Sequence, residues 1–409
     1  MSALNHKNIH VVIAGAGIIG LTTAYRLKKT YPNLSISIFE KEKIVGCHAS
    51  GRNSGVLHSG IYYGAKTLKA KVCAEGNQSM YDFAIEHGIP VIKKGKIIIP
   101  TQEDELPRLD RLLKNARDNN IDAYEISAEE VLEKEPFVKP YKRGVYCPSV
   151  AVIDSVAVLN QLVKCLEKMN VAFHFEQEII EIVATEKKGM THQGESFKYD
   201  FFINCAGAFA DKIAGKFNKG GKYMLLPFKG LYYQLADEVK HYVNTSIYPV
   251  PDPEMPFLGV HFTRTVHDDV QIGPTATPAL GRENYGIVRG AKFSEAAQIF
   301  IELGKLYLGH DKNFRELVHR EILNYWKPHY VRQAQKLVPE VKADDFKMST
   351  KVGIRPQLVN RDTKQLVMDF VIEEDENSIH VLNAISPAFT SSFAFANYII
   401  DRIRNRLLP

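Results

Sequence analysis

The sequence predicts an α/β protein that combines a parallel sheet flanked by helices with a smaller domain built on a mixed or antiparallel sheet. In residues 10–40 an apolar run, a glycine-rich turn, a helical segment and a second apolar run follow one another. Residues 201–207 repeat the order of an apolar strand and a small-residue turn before a helix. Residues 223–273 instead alternate apolar and polar positions between Pro and Gly breaks, which is typical of antiparallel strands.

The glycine-rich turn is a complete dinucleotide fingerprint, Gly15-x-Gly17-x-x-Gly20, placed between a strand and a helix. Gly15 allows the tight turn, Gly17 allows a pyrophosphate to approach the backbone, and Gly20 allows the helix to pack on the sheet. The helix N-terminus offers free N–H groups and a positive dipole to the phosphates. Glu40 ends the second strand, where a carboxylate accepts hydrogen bonds from a ribose and disfavours a 2′-phosphate.

Composition excludes several classes of protein. The 409 residues are 45% apolar and carry a net charge of +5, without a basic tract dense enough to bind nucleic acid. The five cysteines are scattered and lack a CxxC pair, which argues against a disulfide framework and against a metal site. The first ten residues lack the apolar core of a signal peptide, and the apolar runs are too short to span a membrane. We therefore expect a cytoplasmic protein.

The remaining elements are predicted from periodicity and punctuation. Helices are expected over residues 21–29, 68–87, 102–119, 155–169, 294–308 and 313–338. A further helix is expected to begin after Ser127, and residues 386–392 are expected to open a last helix that runs to Arg406. Strands are expected over residues 11–14, 35–39, 93–99, 144–147, 171–175, 178–185, 351–358, 365–372 and 379–383, with a turn over 187–194.

Five further segments match one known family. They are RNSGVLHSGIYY (52–63), FINCAGAFAD (202–211), FLGVHFT (257–263), GIRPQL (353–358) and NAISPAFTSS (383–392). In this order they resemble the D-amino-acid-oxidase-like FAD-dependent oxidoreductases and, within them, the L-2-hydroxyglutarate dehydrogenase/oxidase family. The resemblance covers nearly the whole chain. It implies a discontinuous Rossmann-like FAD-binding domain (1–90, 150–220 and 345–409) and a substrate-binding domain (91–149 and 221–344).

The resemblance implies FAD as the cofactor, held between the two domains. The predicted cofactor-binding residues are Gly15, Gly17, Gly20, Glu40, Ser54, Gly55, Ile180, Ala206, Gly207, Pro387, Ala388, Thr390 and Ser391. Arg52 is a further candidate for the pyrophosphate, whereas Cys205 is interpreted as a buried packing residue. The positive end of the last helix is expected at the flavin edge that becomes anionic on reduction.

The implied reaction is oxidation of L-2-hydroxyglutarate to 2-oxoglutarate, with hydride transfer from C2 to flavin N5. Arg355 is the predicted carboxylate anchor, because a guanidinium pairs with a carboxylate through two parallel hydrogen bonds. His261 is the preferred base or substrate contact, and His58 is placed beside the flavin, where it is also a candidate for a covalent link. Candidates for the distal carboxylate are Tyr62, Tyr63, Lys229 and Arg264.

Several questions stay open from the sequence. The electron acceptor is a quinone, another carrier or oxygen. The last helix combines apolar residues with Arg402, Arg404 and Arg406, which suits either packing on the sheet or a peripheral contact with an anionic membrane. The alternative functions are oxidation of an amine (a D-amino acid, glycine or sarcosine) in the same fold, and flavin binding by a redox sensor without turnover.

Overall fold

The computed structural model describes residues 9–252, 257–286, 289–309 and 312–407. The strands are β1 (His10–Ala14), β2 (Ser35–Phe39), β3 (Val56–Leu57), β4 (Val91–Ile92), β5 (Lys96–Ile99), β6 (Tyr124–Ser127), β7 (Arg143–Cys147), β8 (Ala151–Ile153), β9 (Ala172–His174), β10 (Ile179–Val183), β11 (Lys188–Thr191), β12 (Ser196–Lys198), β13 (Phe201–Asn204), β14 (Tyr223–Leu235), β15 (Ser246–Pro249), β16 (Phe262–Arg264), β17 (Val270–Ile272), β18 (Thr277–Pro278), β19 (Phe346–Asn360), β20 (Val371–Glu374) and β21 (Ser378–Asn383). The helices are α1 (Ile18–Thr30), α2 (Leu68–Glu86), α3 (Leu106–Asp118), α4 (Ala128–Lys134), α5 (Ser155–Lys168), α6 (Ala210–Gly215), α7 (Phe293–Leu308), α8 (Lys312–Leu323), α9 (Lys327–Gln335) and α10 (Ala388–Leu407).

The predicted parallel sheet is confirmed. Its strands lie in the order β20-β21-β13-β1-β2-β9, and all neighbours are parallel except β20, which is antiparallel to β21. Strand β1 is buried from Val11 to Ala14, because layers cover both faces of the sheet. On one face α1, α2, α5 and α10 pack together around a single apolar core. On the other face lie α6 and a three-stranded sheet, β10-β11-β12.

Two sequence predictions are wrong in this part of the chain. Residues 187–194 were expected to form a turn, but Lys188–Thr191 forms β11 and pairs with both neighbouring strands. The tight turn comes just before, at Lys187, which has a φ of 50°. Residues 365–372 were expected to form a strand, but the strand observed there is β20, Val371–Glu374. Just before it, the side chain of Asp369 accepts hydrogen bonds from the backbone at the start of α2.

A second sheet holds the alternating segment found in the sequence. Its strands lie in the order β18-β14-β17-β16-β15-β5-β7-β6, and β19 pairs along most of the length of β14. The expected helix over 313–338 is divided into α8 and α9, and Pro328 lies in the first turn of α9. Strand β19 hydrogen bonds into this sheet although it falls inside the predicted FAD-binding domain, and the exact domain bounds remain a prediction.

The last helix, α10, is a core element. Its apolar side chains Ile399, Ile403 and Leu407 are at most 2% exposed, since the helix packs against α1 and α2. Arg402 and Arg406 both bind Glu374 at the end of β20. The apolar stripe of α10 is therefore used for packing, and a contact between this helix and a membrane stays a prediction. No helix in the described part of the chain is both long and apolar enough to span a bilayer.

Candidate active site

A cavity of about 970 Å³ runs between the parallel sheet and the second sheet. One end is lined by the glycine-rich turn, the end of β2 and residues 177–180. The other end is lined by β19, residues 384–390 and side chains of the second sheet, including His261 and Tyr232. The cavity is thus long, lies at the carboxyl ends of the parallel strands, and has a volume in the range of cofactor sites.

The glycine-rich turn is shaped by close backbone approach. Gly15 has a φ of +100°, and a Cβ on it would lie 2.6 Å from the carbonyl oxygen of Cys205. A Cβ on Gly20 would lie 2.0 Å from the carbonyl oxygen of Gly15, so α1 packs directly on the turn. Glu40 accepts a hydrogen bond from Ala16 N at 2.9 Å, which fixes its carboxylate beside the turn. The fingerprint residues therefore have the geometry that a dinucleotide site requires.

The N-terminus of α1 opens on the cavity. Gly17 provides no side-chain cap, and the N–H of Ile18 donates to Ser50 Oγ at 2.9 Å. Ser50 was not among the cofactor-binding residues predicted from the sequence. Its contact could not be read from spacing, since it lies 32 residues from its partner. This end of the cavity suits a negatively charged group.

Most of the other predicted cofactor-binding residues also line the cavity. These are Ser54, Ile180, Ala206, Gly207, Pro387, Ala388 and Thr390. Gly20, Gly55 and Ser391 do not line it, and each has a packing role instead. Gly55 has a φ of +71° and lies against the carbonyl oxygen of Ile153, while Ser391 is buried against Gly76 of α2.

The N-terminus of α10 also lines the cavity. Its first residues, Ala388, Phe389 and Thr390, line the cavity, so the positive end of a 20-residue helix points there. Thr390 Oγ1 accepts from His58 N at 3.1 Å and donates to Val56 O at 3.2 Å, which joins α10 to the loop after β3. A negative charge beside this terminus would be stabilised by about 0.3–2 kcal/mol.

His58 lies in the cavity wall with an unused ring nitrogen. In the described part of the chain its buried Nδ1 has no hydrogen-bond partner. Burial, together with the charges of Lys96, His261 and Arg355, lowers the pKa of His58 to about 3. The ring is therefore neutral at physiological pH, and an orphaned polar atom in a cavity wall indicates that a ligand completes the site.

His261 is held as a single tautomer. Its Nδ1 lies 2.8 Å from the carbonyl oxygen of Gly259, and a carbonyl can only accept, so Nδ1 carries the proton. The ring stacks on Tyr248 with centroids 4.2 Å apart. Burial and the charges of Lys96 and Arg355 lower the pKa of His261 to about 4, whereas the hydrogen bond to Gly259 acts in the opposite direction. Nε2 is thus a lone-pair nitrogen at neutral pH, as a proton acceptor must be.

Arg355 presents a guanidinium without an acidic partner. It lies on β19, lines the cavity and stacks over the ring of Phe257 at 4.6 Å. Among the described residues no carboxylate lies within ion-pair distance of it, and its desolvation lowers its pKa. Arg355 therefore forms no structural salt bridge among the described residues. An unpaired guanidinium facing a cavity is suited to bind an anionic ligand.

Of the four candidates for a distal carboxylate, the structure brings only the two tyrosines to the cavity. Tyr62 and Tyr63 both line it. Lys229 instead donates to Asn284 Oδ1 at 2.8 Å and to the carbonyl oxygen of Gly286. Arg264 pairs with Asp268 and donates to backbone carbonyls near the start of β15. Neither Lys229 nor Arg264 is placed to contact a ligand in the cavity.

Lys96 is a fully buried cation behind this end of the cavity. Its Nζ donates to Tyr62 Oη at 3.2 Å and lies 5.0 Å from the ring centroid of Tyr248. Burial lowers its pKa. Lys96 thus contacts both Tyr62 and Tyr248, the ring on which His261 stacks. Lys96 was not predicted from the sequence, because a lysine opening a strand is ordinarily solvent-exposed.

A cluster of charged side chains around residues 41–52 also lines the cavity. Lys41 forms ion pairs with Glu42 and Glu283, and His48 Nε2 lies 2.8 Å from Glu42 Oε1. Arg52, the candidate for the pyrophosphate, lines the cavity and stacks over the ring of Tyr285 at 4.2 Å. The three groups Glu42, His48 and Glu283 are close enough for a metal, but both carboxylates already form ion pairs with Lys41.

These features together fit FAD. The cradle of backbone at Gly15, the open terminus of α1, the carboxylate of Glu40 and the terminus of α10 would hold the phosphates, the ribose and an electron-rich ring along one cavity. The orphaned nitrogen of His58 lies in the wall of the same cavity.

Comparison with known proteins identifies the family. Residues 10–402 match the model of the DAO family, FAD dependent oxidoreductase. The L-2-hydroxyglutarate dehydrogenase of Indibacter alkaliphilus is 33% identical over 397 residues, covering 96% of this chain and 98% of that protein. The mitochondrial L-2-hydroxyglutarate dehydrogenase of Bos taurus is 34% identical, covering 98% and 89%.

A solved structure supports the fold. The L-α-glycerophosphate oxidase of Mycoplasma pneumoniae, solved with FAD bound, matches with a TM-score of 0.76 at 22% identity, covering 97% of this chain and 95% of that one. The predicted α/β fold is thereby confirmed. The length of the family match and the identity of the relatives show that the chain belongs to the DAO family of FAD-dependent oxidoreductases and uses FAD as its cofactor.

Proposed function

We propose that this oxidoreductase converts L-2-hydroxyglutarate to 2-oxoglutarate. The observation that carries the proposal is the pairing of an unpartnered guanidinium, Arg355, with a neutral histidine, His261, in one cavity. A 2-hydroxy acid needs both groups, one to bind the carboxylate and one to accept the hydroxyl proton. The substrate itself is taken from the relatives, which are L-2-hydroxyglutarate dehydrogenases at 33–34% identity over nearly their whole length.

The roles of the side chains follow from their state. Arg355 binds the carboxylate next to C2 through its planar fork of donors. His261 Nε2 accepts the proton of the C2 hydroxyl, and the carbonyl of Gly259 stabilises the imidazolium that results. The hydride that leaves C2 passes to the FAD, which is the chemistry this cofactor supplies when bound. Tyr248 keeps the imidazole in place by stacking.

The cofactor-binding roles are part of the same proposal. Glu40 binds the adenosine ribose, the termini of α1 and α10 bind the pyrophosphate and the flavin edge, and Arg52 supports the pyrophosphate. His58 lies beside the flavin, and its unused Nδ1 is the group that contacts the cofactor or links to it. Colour that remains with the denatured protein would demonstrate the covalent link.

The final acceptor of the electrons is proposed as a quinone, another carrier or oxygen. A cytoplasmic location with peripheral attachment to a membrane remains a hypothesis, although the apolar stripe of α10 is packed against α1 and α2. Sedimentation of the holoenzyme with anionic lipid vesicles at low salt tests it, and holoenzyme that stays entirely in the supernatant contradicts it.

Anaerobic mixing with candidate substrates tests the function. We expect L-2-hydroxyglutarate to bleach the flavin absorbance, with the D enantiomer, glycine, sarcosine and D-amino acids slower by orders of magnitude. Bleaching by an amine but not by the hydroxy acid would assign the chain to amine oxidation. Failure of all these compounds to bleach a flavin that dithionite reduces would favour a sensor without turnover.

A further inference from the structure

Lys69 is a buried cation in the wall of the cavity. It lies in the first turn of α2, is 5% exposed and lines the cavity near Tyr63. A lysine is rarely buried unless it is paired, and the N-terminal turn of a helix disfavours a positive charge. Burying an unpaired positive charge in this turn therefore costs stability, which indicates that Lys69 has a role in binding.

The carboxylate nearest to Lys69 is used by the backbone. Asp369 accepts hydrogen bonds from Leu68 N at 2.8 Å and from Lys69 N at 3.1 Å, and so caps α2. Lys69 Nζ lies instead over the rings of Tyr63 and Phe370, at 5.5 and 5.9 Å from their centroids. Among the described residues, no acid forms an ion pair with the ammonium group. Aromatic faces compensate a cation only partly.

Lys69 and Arg355 form a pair of like charges. Burial and the charge of Arg355 lower the pKa of Lys69 to about 8, whereas Asp369 and Cys73 oppose the shift. Lys41 and Arg282, which also line the cavity, are already engaged by acids: Lys41 with Glu42 and Glu283, and Arg282 with Asp211. Two neighbouring cations without carboxylates are complementary to a ligand that carries two negative charges.

We propose that Lys69 binds the carboxylate of the substrate that Arg355 does not bind, so that the site selects 2-hydroxy acids with a second carboxylate. This inference rests on the proposed function and assigns its specificity. Lys229 and Arg264, the cations expected for this task, lie elsewhere. Lys69 differs from them because it lines the cavity and has no acidic partner.

A matched pair of substrates tests the assignment. L-2-hydroxyglutarate and L-2-hydroxyvalerate have the same five-carbon chain and differ in the distal carboxylate. In the Lys69→Met holoenzyme we expect kcat/KM for L-2-hydroxyglutarate to fall between about tenfold and a hundredfold, as for a lost charged hydrogen bond. The value for L-2-hydroxyvalerate should stay within about threefold. Lys71→Met, which removes an exposed lysine from the same helix, is the control and should change neither value.

Binding without turnover provides an independent readout. Glutarate and butyrate are unreactive, and their dissociation constants can be measured from the perturbed flavin spectrum. Lys69→Met should weaken glutarate binding by the same factor as kcat/KM and leave butyrate unchanged, and Lys69→Arg should restore part of the loss. If Lys69→Met does not fold, Lys69→Gln serves the same comparison.

The outcomes separate the two proposals. Equal losses for the diacid and the monoacid, or no loss for either, would overturn the role of Lys69 even if the wild-type enzyme oxidises L-2-hydroxyglutarate. If the wild-type enzyme oxidises neither hydroxy acid, the proposed function fails. The glutarate and butyrate titrations would then still decide whether Lys69 binds a second carboxylate.

Discussion

Replacing Arg355 with methionine should weaken substrate binding and leave the stability of the fold nearly unchanged. Arg355 is desolvated, has no carboxylate beside it in the described part of the chain and contacts Phe257. Methionine keeps much of the packing volume and removes an unpaired charge, which is neutral or stabilising, while the lost contact with Phe257 acts in the opposite direction. The free energy of unfolding should therefore change by less than about 1 kcal/mol.

The loss of binding can be estimated from the two hydrogen bonds of the guanidinium fork. At about 1.5 kcal/mol each, the lower value for charged hydrogen bonds, the loss is about 3 kcal/mol, or about a hundredfold in the dissociation constant. Titration of glutarate into the oxidised holoenzyme measures it. Arg355→Lys, which keeps the charge without the fork, should lie between the wild type and Arg355→Met.

The same substitution has a second readout. Because the charge of Arg355 lowers the pKa of His261, its removal should shift the acidic limb of the kcat/KM profile to higher pH. Unchanged glutarate binding combined with several kcal/mol of lost stability would show that Arg355 is a structural residue, and the reasoning about the anchor would be refuted.

Three further predictions concern the base, the second cation and the helix pair. His261→Asn keeps a donor near the carbonyl of Gly259 and should slow anaerobic flavin reduction by about 10²–10⁴-fold without weakening glutarate binding; full-speed reduction would exclude His261 as the base. Since the pKa of Lys69 is lowered to about 8, kcat/KM for L-2-hydroxyglutarate should fall as the pH rises through 8, whereas the value for L-2-hydroxyvalerate should not. Gly76→Ala would place a Cβ 2.4 Å from Ser391 Cα and should cost about 1–3 kcal/mol in urea unfolding, with release of FAD; unchanged stability would contradict the packing of α2 on α10.

The sequence was most informative where function imposes a local pattern. Gly15, Gly17 and Gly20 fall within one strand, turn and helix, and Gly20 packs directly on the carbonyl oxygen of Gly15, so a short stretch of sequence contains the signal. Glu40 lies at the end of the next strand and so belongs to the same short stretch of sequence. The anchor Arg355 and the base candidate His261 were found because they lie in short segments typical of the family, and the structure places both in one cavity.

Residues whose role depends on distant partners escaped prediction. In the sequence Lys69 looks like an ordinary helix lysine. Among the described residues its charge is unpaired because Asp369, 300 residues further along the chain, accepts hydrogen bonds from backbone N–H groups at the start of α2. The apolar stripe of α10 has the same periodicity whether it faces lipid or protein, so only the structure shows that it packs against α1 and α2. Periodicity gives the direction of a face and does not identify its neighbour.

The charge balance of the cavity links these observations. At the substrate end, the described residues place Arg355, Lys69 and Lys96 without an acidic ion-pair partner, beside two buried histidines. Cations without carboxylates lower the pKa of neighbouring histidines, which keeps His261 able to accept a proton at neutral pH. The same cations attract a dianionic substrate, whose charge would in turn raise the pKa of His261 once it is bound. One electrostatic arrangement thus favours an unprotonated base before binding and a stronger base afterwards.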